Sequence, residues 1–223
     1  MKLKKIASLM LAGVMAVSML AGCSGNGSNN NNNNNDDPVV NTGLTGSVIA
    51  ALDKDSTDNA TFSASTSLES DLEMAVKNVG SDISKVSASN IATTQTGIKT
   101  VLIKIDDDYA KTLPGVNTVS PVESDDKETQ SQTYVVVMPT VGANENYVAK
   151  ELAKVIDNEP DWATLADYSG DYKAGTKDEY WYNFDYTVDM AVVETADAVT
   201  GQTVYVAAYT VTRTPTKALK VAA

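Results

Sequence analysis

The chain has 223 residues, 43% hydrophobic and 21% charged, with 29 acidic against 17 basic side chains, one cysteine and no histidine. The missing histidine excludes a Ser-His-Asp triad, a Cys-His pair and an imidazole zinc site, which leaves a carboxylate pair, a Ser-Lys dyad or a bound cation as routes to catalysis. A formal charge of −12 repels nucleic-acid phosphates and anionic lipid heads, so neither is expected as a direct partner.

Lys2, Lys4 and Lys5 precede an uncharged apolar run over 6–20. That run is shorter than the ~20 residues a membrane-spanning helix needs. A basic start, an apolar middle and small residues at the end describe a secretory signal, which is excluded from the fold. Leu20-Ala21-Gly22-Cys23 resembles the lipobox of bacterial lipoproteins. The resemblance covers only the first 23 residues. It implies a signal peptide at 1–22, a diacylglycerol on the Cys23 thiol, and cleavage that makes Cys23 the new N-terminus. Two acyl chains anchor stably where one holds only marginally, at ~0.8 kcal/mol per buried methylene. The expected location is therefore the cell membrane, lipid-anchored and facing outside the cytoplasm. The plainer reading is an ordinary secretory signal with Cys23 as a leftover thiol. A lipidated Cys23 leaves no cysteine for a disulfide, and loss of three signal lysines takes the charge to −15.

Residues 23–46, with the asparagine run Asn29 to Asn35, hold hardly an apolar side chain. Such a segment cannot offset the entropy of ordering and is expected to be a coil, a tether spanning about 25–30 Å. Residues 47–223 are expected to form one α+β extracytoplasmic domain, long enough to bury a core without staples.

Thr66-Ser-Leu-Glu69 has the form of a capping box, and Leu68, Leu72, Ala75, Val76 and Val79 repeat at helical spacing, predicting a helix over 67–79. Val, Ile and Thr around Thr96-Gly97 predict a hairpin over 86–106, with Val101, Ile103 and Ile105 on one side. A short helical turn over 107–113 and an exposed acidic loop over 121–132 follow. The apolar run 134–138 reads as a buried strand. Asn144 starts a second helix with the stripe Val148, Leu152, Val155 and Ile156, stopped at 158–160.

The stretch YWYNFDYTVDMAVVE alternates without a break. Tyr180, Tyr182, Phe184, Tyr186, Val188, Met190 and Val192 face one way; Asn183, Asp185, Thr187 and Asp189 face the other, as in an antiparallel sheet with one face on a core. Its partner is expected over 203–213 after a turn at Thr200-Gly201, with Pro215 ending the pairing. The fold expected is an antiparallel sheet with two helices on one face, and each helix followed by a hairpin is a possible duplicated unit.

Ten of the 14 aromatic residues lie from Trp162 onward. Core packing accounts for Tyr180, Tyr182, Phe184 and Tyr186. Trp162, Tyr168, Tyr172 and Trp181 are the candidate ligand-binding residues: Trp162, Tyr168 and Tyr172 sit beside Asp161, Asp167 and Asp171 in a loop-like segment, and Trp181 is on the polar face of its strand. These rings either stack on a sugar or protein partner or fold over the sheet edge as a satellite core. The acidic run Asp53 to Asp58 lacks the Gly and Glu of a calcium loop and reads as a solvated turn. Asp106-Asp107-Asp108 reads as a strand terminator with helix-start carboxylates. Asp185 and Asp189 are four strand residues, about 13 Å, apart and too distant for a glycosidase pair.

No catalytic residue, metal site or cofactor is expected, and Cys23 is the lipid-attachment site. The expectation is a surface lipoprotein with a non-enzymatic domain that binds an envelope protein or an extracellular glycan. The alternatives are an envelope glycan hydrolase using acidic residues and a purely structural spacer lipoprotein.

Overall fold

The computed structural model describes residues 43–79, 91–113, 126–139, 144–160, 162, 165–196 and 202–219. All of them fall within one compact unit, Val39–Ala223. The signal segment, Cys23, the tether up to residue 42, the start of the first expected hairpin strand and the Thr200-Gly201 turn lie outside the described residues.

The chain forms helices α1 (Gly43–Ile49) and α2 (Lys54–Asn59), strand β1 (Thr61–Ala64), helices α3 (Thr66–Val79) and α4 (Ile91–Ile105), a 3-10 turn (Asp107–Ala110), strand β2 (Gln130–Pro139), helix α5 (Glu145–Asp157), and strands β3 (Tyr180–Ala196) and β4 (Thr203–Leu219). The four strands lie in the order β1-β3-β4-β2, with β1 parallel to β3 and the other pairs antiparallel. The fold is α+β.

Strand parity separates two cores. Val188, Met190, Val192, Tyr205, Ala207, Tyr209 and Val211 project from one face onto Val48 of α1 and Val148, Leu152 and Ile156 of α5. Their neighbours Ala191, Val193, Val204, Val206 and Ala208 project from the other onto Leu68, Leu72, Ala75, Ile98 and Leu102 of α3 and α4. The two helices expected from periodicity, α3 and α5, therefore lie on opposite faces rather than on one. The second face is polar only as far as Asp189, and Ala191 and Val193 give α3 and α4 somewhere to dock.

The expected hairpin around Thr96-Gly97 is helix α4 instead, and the duplicated helix-hairpin unit falls with it. Thr94, Ile98 and Leu102 recur at intervals of four and are buried, whereas Ile103 stands outside the core cluster. Thr96 and Thr100 hydroxyls return to the carbonyls of Ala92 and Thr96, a helical way of satisfying β-branched polar residues. Gly97 lies against α3: a methyl group added there would meet Val79 at 3.6 Å, ordinary contact.

Several boundaries also move. Gly43 to Gly46 belong to α1, not to the tether, because Val48 is fully buried and the Thr45 hydroxyl accepts the Val192 N–H at 3.0 Å. Ser65, not Thr66, caps α3, its hydroxyl accepting the Leu68 N–H at 3.2 Å. Asp53 caps α2 through the Ser56 N–H, so the acidic run begins a short helix rather than a turn. Gln130 to Gln132 extend β2 backward out of the expected acidic loop. Asn144 caps α5 as expected, but Val155 is 41% exposed and the buried stripe is Val148, Ala149, Leu152, Ala153 and Ile156.

Pro215 does not end the β3–β4 pairing, which continues to Tyr180↔Leu219. Phe184 sends its N–H to Asp167 O at 2.8 Å, away from β4, so Phe184↔Pro215 is a non-hydrogen-bonded pair. The proline nitrogen thus points to the opposite edge, where β2 has already stopped at Gln130↔Arg213. No ladder bond is lost.

Asp157, at the end of α5, accepts the Ser56 hydroxyl at 2.6 Å and the Asp53 N–H at 3.2 Å. Burial pushes its carboxyl above the ordinary 3.8, and the charges of Asp53 and Asp55 add to this against the lowering by its two hydrogen bonds. A carboxyl raised by folding binds protons more tightly in the folded state, so its ionisation subtracts stability as pH rises through and above that range. Asp157→Asn keeps an acceptor for Ser56 and should be more stable than the parent at neutral pH, the gap narrowing toward pH 3.8; denaturant melts across that span check it. Gly97→Ala should stabilise by about 0.5–1 kcal/mol in a helix, whereas a turn requiring positive φ would be destabilised; a urea midpoint decides between them.

Candidate functional site

β3 and β4 outrun their neighbours. β1 covers only Thr187 to Met190 of β3, and β2 leaves β4 at Arg213. Beyond these limits the ribbon projects as Tyr180 to Tyr186 paired with Arg213 to Leu219. Its inner row, Tyr180, Tyr182 and Phe184, is 6–8% exposed.

The cover is the segment 165–179, which pairs with the edge that β1 leaves open. Ser169 donates its N–H to Tyr182 O and Phe184 donates to Asp167 O, each at 2.8 Å, making Tyr168↔Asn183 a non-hydrogen-bonded pair; Tyr172 and Tyr180 exchange bonds at 2.8 and 3.1 Å. Between the two bridges this segment has the three residues 169–171 against Trp181 and Tyr182 on β3. The extra residue is a bulge, and the Ser169 hydroxyl takes the place of a backbone acceptor for the Tyr182 N–H at 2.9 Å. Parity flips across it. Tyr168 faces outward with Asn183, while Tyr172 turns inward and stacks on Tyr180 at 5.4 Å.

Charge closes the inner side. Arg213, the only arginine in the chain, is 6% exposed. Its guanidinium lies 4.1 Å from the Phe184 ring centre, donates to Gln130 Oε1 at 2.7 Å and sits 3.7 Å from Asp126 Oδ1. Tyr172 donates its hydroxyl to the other Asp126 oxygen, and Lys217 Nζ stands 3.7 Å over Tyr180. The cover segment is thereby tied to the sheet through a buried ion pair. Asp126, 8% exposed, is a correction to the exposed acidic loop, of which 121–125 lie outside the described residues and 127–129 are exposed as expected. Its signal in the sequence was the lone arginine continuing the apolar row of β4, which requires a carboxylate from elsewhere.

The outer side carries the opposite chemistry. Trp181, Asn183, Asp185, Thr187 and Asp189 on β3 lie beside Ala218, Thr216, Thr214, Thr212 and Thr210 on β4. Asn183, Asp185, Thr187, Asp189, Thr214 and Thr216 are exposed. Trp181 is half-buried, and its Nε1–H is held by Asn183 Oδ1 at 2.9 Å. Tyr168, 63% exposed, shares the face. At its far end Tyr109 donates to Asp71 Oδ2 at 2.7 Å, where α3 and the 3-10 turn begin to cover the sheet. Burial, then the Asp71 hydrogen bond and the charges of Asp71, Asp106 and Asp189, push the Tyr109 hydroxyl far up, so it stays a neutral donor.

The four candidate aromatics therefore divide three ways. Trp162 is a correction: it is 1% exposed, its Nε1–H donates to Ile156 O at 2.8 Å and its ring meets Phe62 at 5.2 Å, so it belongs to the α5 core and not to a binding surface. Tyr172 is half-buried in the inner cluster, as a satellite core would have it. Tyr168 and Trp181 alone share an open face. Asp185 and Asp189 stay on one strand, as the spacing argument required. The carboxylates of Asp106, Asp107 and Asp108 converge within 4.8 Å, but they follow a helix rather than a strand, Asp106 caps the 3-10 turn, and Asp108 pairs with Lys111 at 2.6 Å. A shallow depression between Val79, Thr93, Gly97 and Lys104 carries no cluster of reactive groups. Among the described residues no helix is long and apolar enough to cross a membrane.

Trp162→Ala should cost about 3–5 kcal/mol as a buried aromatic truncation, whereas Trp181→Ala should shift stability by less than about 1 kcal/mol; paired thermal melts of the two variants check this division. The chain matches no protein-family model, no curated protein and no solved structure, so its function is read from its own residues.

Proposed function

We propose that the protein is a surface lipoprotein, anchored through Cys23 and facing outside the cytoplasm, whose α+β domain binds an envelope component without catalysing a reaction on it. The observation that carries this reading is the outer face of the ribbon. There a bulge at Ser169 brings Tyr168 to the face on which Asn183 braces Trp181. Exposed aromatics on a rigid β-surface are favoured binding anchors, because they supply contact area at low entropic cost. The lipobox resemblance supports the membrane attachment, and the asparagine-rich run after it supports a tether that lets the domain clear the head groups. The missing histidine and the separation of Asp185 from Asp189 argue for binding over hydrolysis.

The test is a photo-crosslinking residue at position 168 of the full-length protein in cells. A discrete adduct is expected, lost in Trp181→Ala at unchanged abundance, since a central aromatic anchor is worth ~2 kcal/mol or more. Cys23→Ala should move the protein out of the membrane fraction. An adduct indifferent to Trp181 would remove the outer face as the binding site.

A further inference from the structure

We infer that the outer face of the β3–β4 ribbon binds a linear glycan that is neutral or carries amino groups; this names the ligand class for the binding reading above and rests on it. Trp181 has one polar group, a donor, and it is already spent on Asn183 Oδ1 at 2.9 Å. What the indole offers a ligand is its flat apolar ring, held in place by a residue two positions along the same strand. A sugar ring presents C–H groups on its faces and hydroxyls around its rim. It needs a flat ring beside a row of hydrogen-bonding groups.

That row is present. Asn183 and Asp185 on β3 and Thr216 and Thr214 on β4 are directly opposed and exposed. They repeat at about 6.6–6.8 Å along each strand and stand about 4.5–5.5 Å apart across it. The amide both donates and accepts, each threonine does the same, and the carboxylate accepts, which matches ligand hydroxyls in both senses. Tyr168, opposite Asn183, is a diagonal neighbour of Trp181 at about 7–8 Å, so aromatic surface continues sideways past the strand edge. Among the described residues the face is an open sheet surface rather than an enclosing pocket, which suits a chain lying across it more than a small molecule held within it.

Charge selects within that class and against other occupants. The strands place Asp185 and Asp189 on this face and no lysine or arginine; Arg213 and Lys217 belong to the inner side. Uronate and phosphate polymers would meet carboxylates with no strand cation of this face to pair, and so would a second copy of this face. A protein partner would find, among the strand residues of this face, Ala218 as the one aliphatic contact beside Trp181. A hydroxyl-rich chain without anionic groups meets no such penalty, and one with protonated amines gains from both aspartates.

The experiment is calorimetric titration of the full-length protein in detergent with β-linked gluco-oligosaccharides, N-acetylated and de-acetylated glucosamine oligomers, and oligogalacturonate. Saturable binding of a neutral or amine-bearing oligomer is expected, weakened about tenfold or more by Trp181→Ala and by Tyr168→Ala, with Trp181→Phe retaining part of it. Stronger binding of the de-acetylated oligomer that falls in Asp185→Asn would mark the amine as recognised; equal binding of both would mark the neutral ring. Preference for oligogalacturonate overturns the inference. So does no binding of any oligomer: if position 168 still crosslinks to a protein, the glycan class falls and the binding face stands, and if it crosslinks to nothing, both fall.

Discussion

Seventeen residues of β3 pair with seventeen of β4, unbroken from Tyr180↔Leu219 to Ala196↔Thr203. At about 3.4 Å per residue the ribbon is about 55 Å long, far longer than a strand one core can cover. An isolated two-stranded ribbon is marginal in water, so the elements that clothe it decide where it is dry. α3 and α4 take one face toward the Ala196↔Thr203 end, α1 and α5 the other face along the middle, and the segment 165–179 the inner face at the far end. Among the described residues no helix packs on the stretch of outer face from Trp181 to Asp189.

The far end shows how a strongly acidic chain uses its scarce cations. One arginine and two lysines meet the aromatic rings there: Arg213 at Phe184, Lys217 and Lys173 at Tyr180. Burying Arg213 would carry a desolvation penalty of several kcal/mol were it alone. Asp126 offsets it, and Asp126 is in turn held by Tyr172 from the cover segment, with Gln130 Oε1 accepting a guanidinium N–H. The ion pair therefore ties the segment 165–179 to this end of the sheet. At the rim the chain turns back at Gly175, whose φ of +77° suits glycine, and its N–H is taken by Glu179 at 2.6 Å.

Strict period-two alternation made β3 readable from end to end, and the four-residue stripes made α3 and α5 readable, because burial on one face leaves its period in the residue order. The region from Ile91 to Ile105 misled for a physical reason. Its isoleucines, valine and threonines favour a strand locally, and Gly97 after a threonine resembles a turn, but Ile98 and Leu102 are claimed by α3 and the sheet. Tertiary packing overrode propensity. Gly43 to Gly46 misled in the opposite sense, since one buried threonine bonded to a strand amide outweighs their polar composition. Of the aromatics, side-chain type could not separate Trp162 from Trp181. The difference lies in a carbonyl of α5 available to one indole and an exposed asparagine available to the other. Nor could spacing foresee that Tyr168 and Tyr172, four apart, would face opposite ways, because the bulge that flips them is set by a hydroxyl accepting a strand N–H.

The open outer face follows from the same parity that builds the cores. At Ala191, Val193, Val204, Val206 and Ala208 the second face is apolar and attracts α3 and α4; from Asp189 toward Trp181 the β3 residues before Trp181 itself are Asp, Thr and Asn and give a helix nothing to bury. The boundary is held by Tyr109, whose ring packs with the second core while its hydroxyl rests on Asp71. A surface of this polarity needs no Trp or Tyr to stay soluble, and each exposed ring costs hydration that a threonine would avoid. Two such rings share this face, and Trp181 is braced in place. Stability alone accounts for Tyr180, Tyr182 and Phe184, which bury their area. Trp181 stays half-buried and Tyr168 is 63% exposed, so on the binding reading proposed above a ligand with an apolar face and a hydroxylated rim would bury theirs.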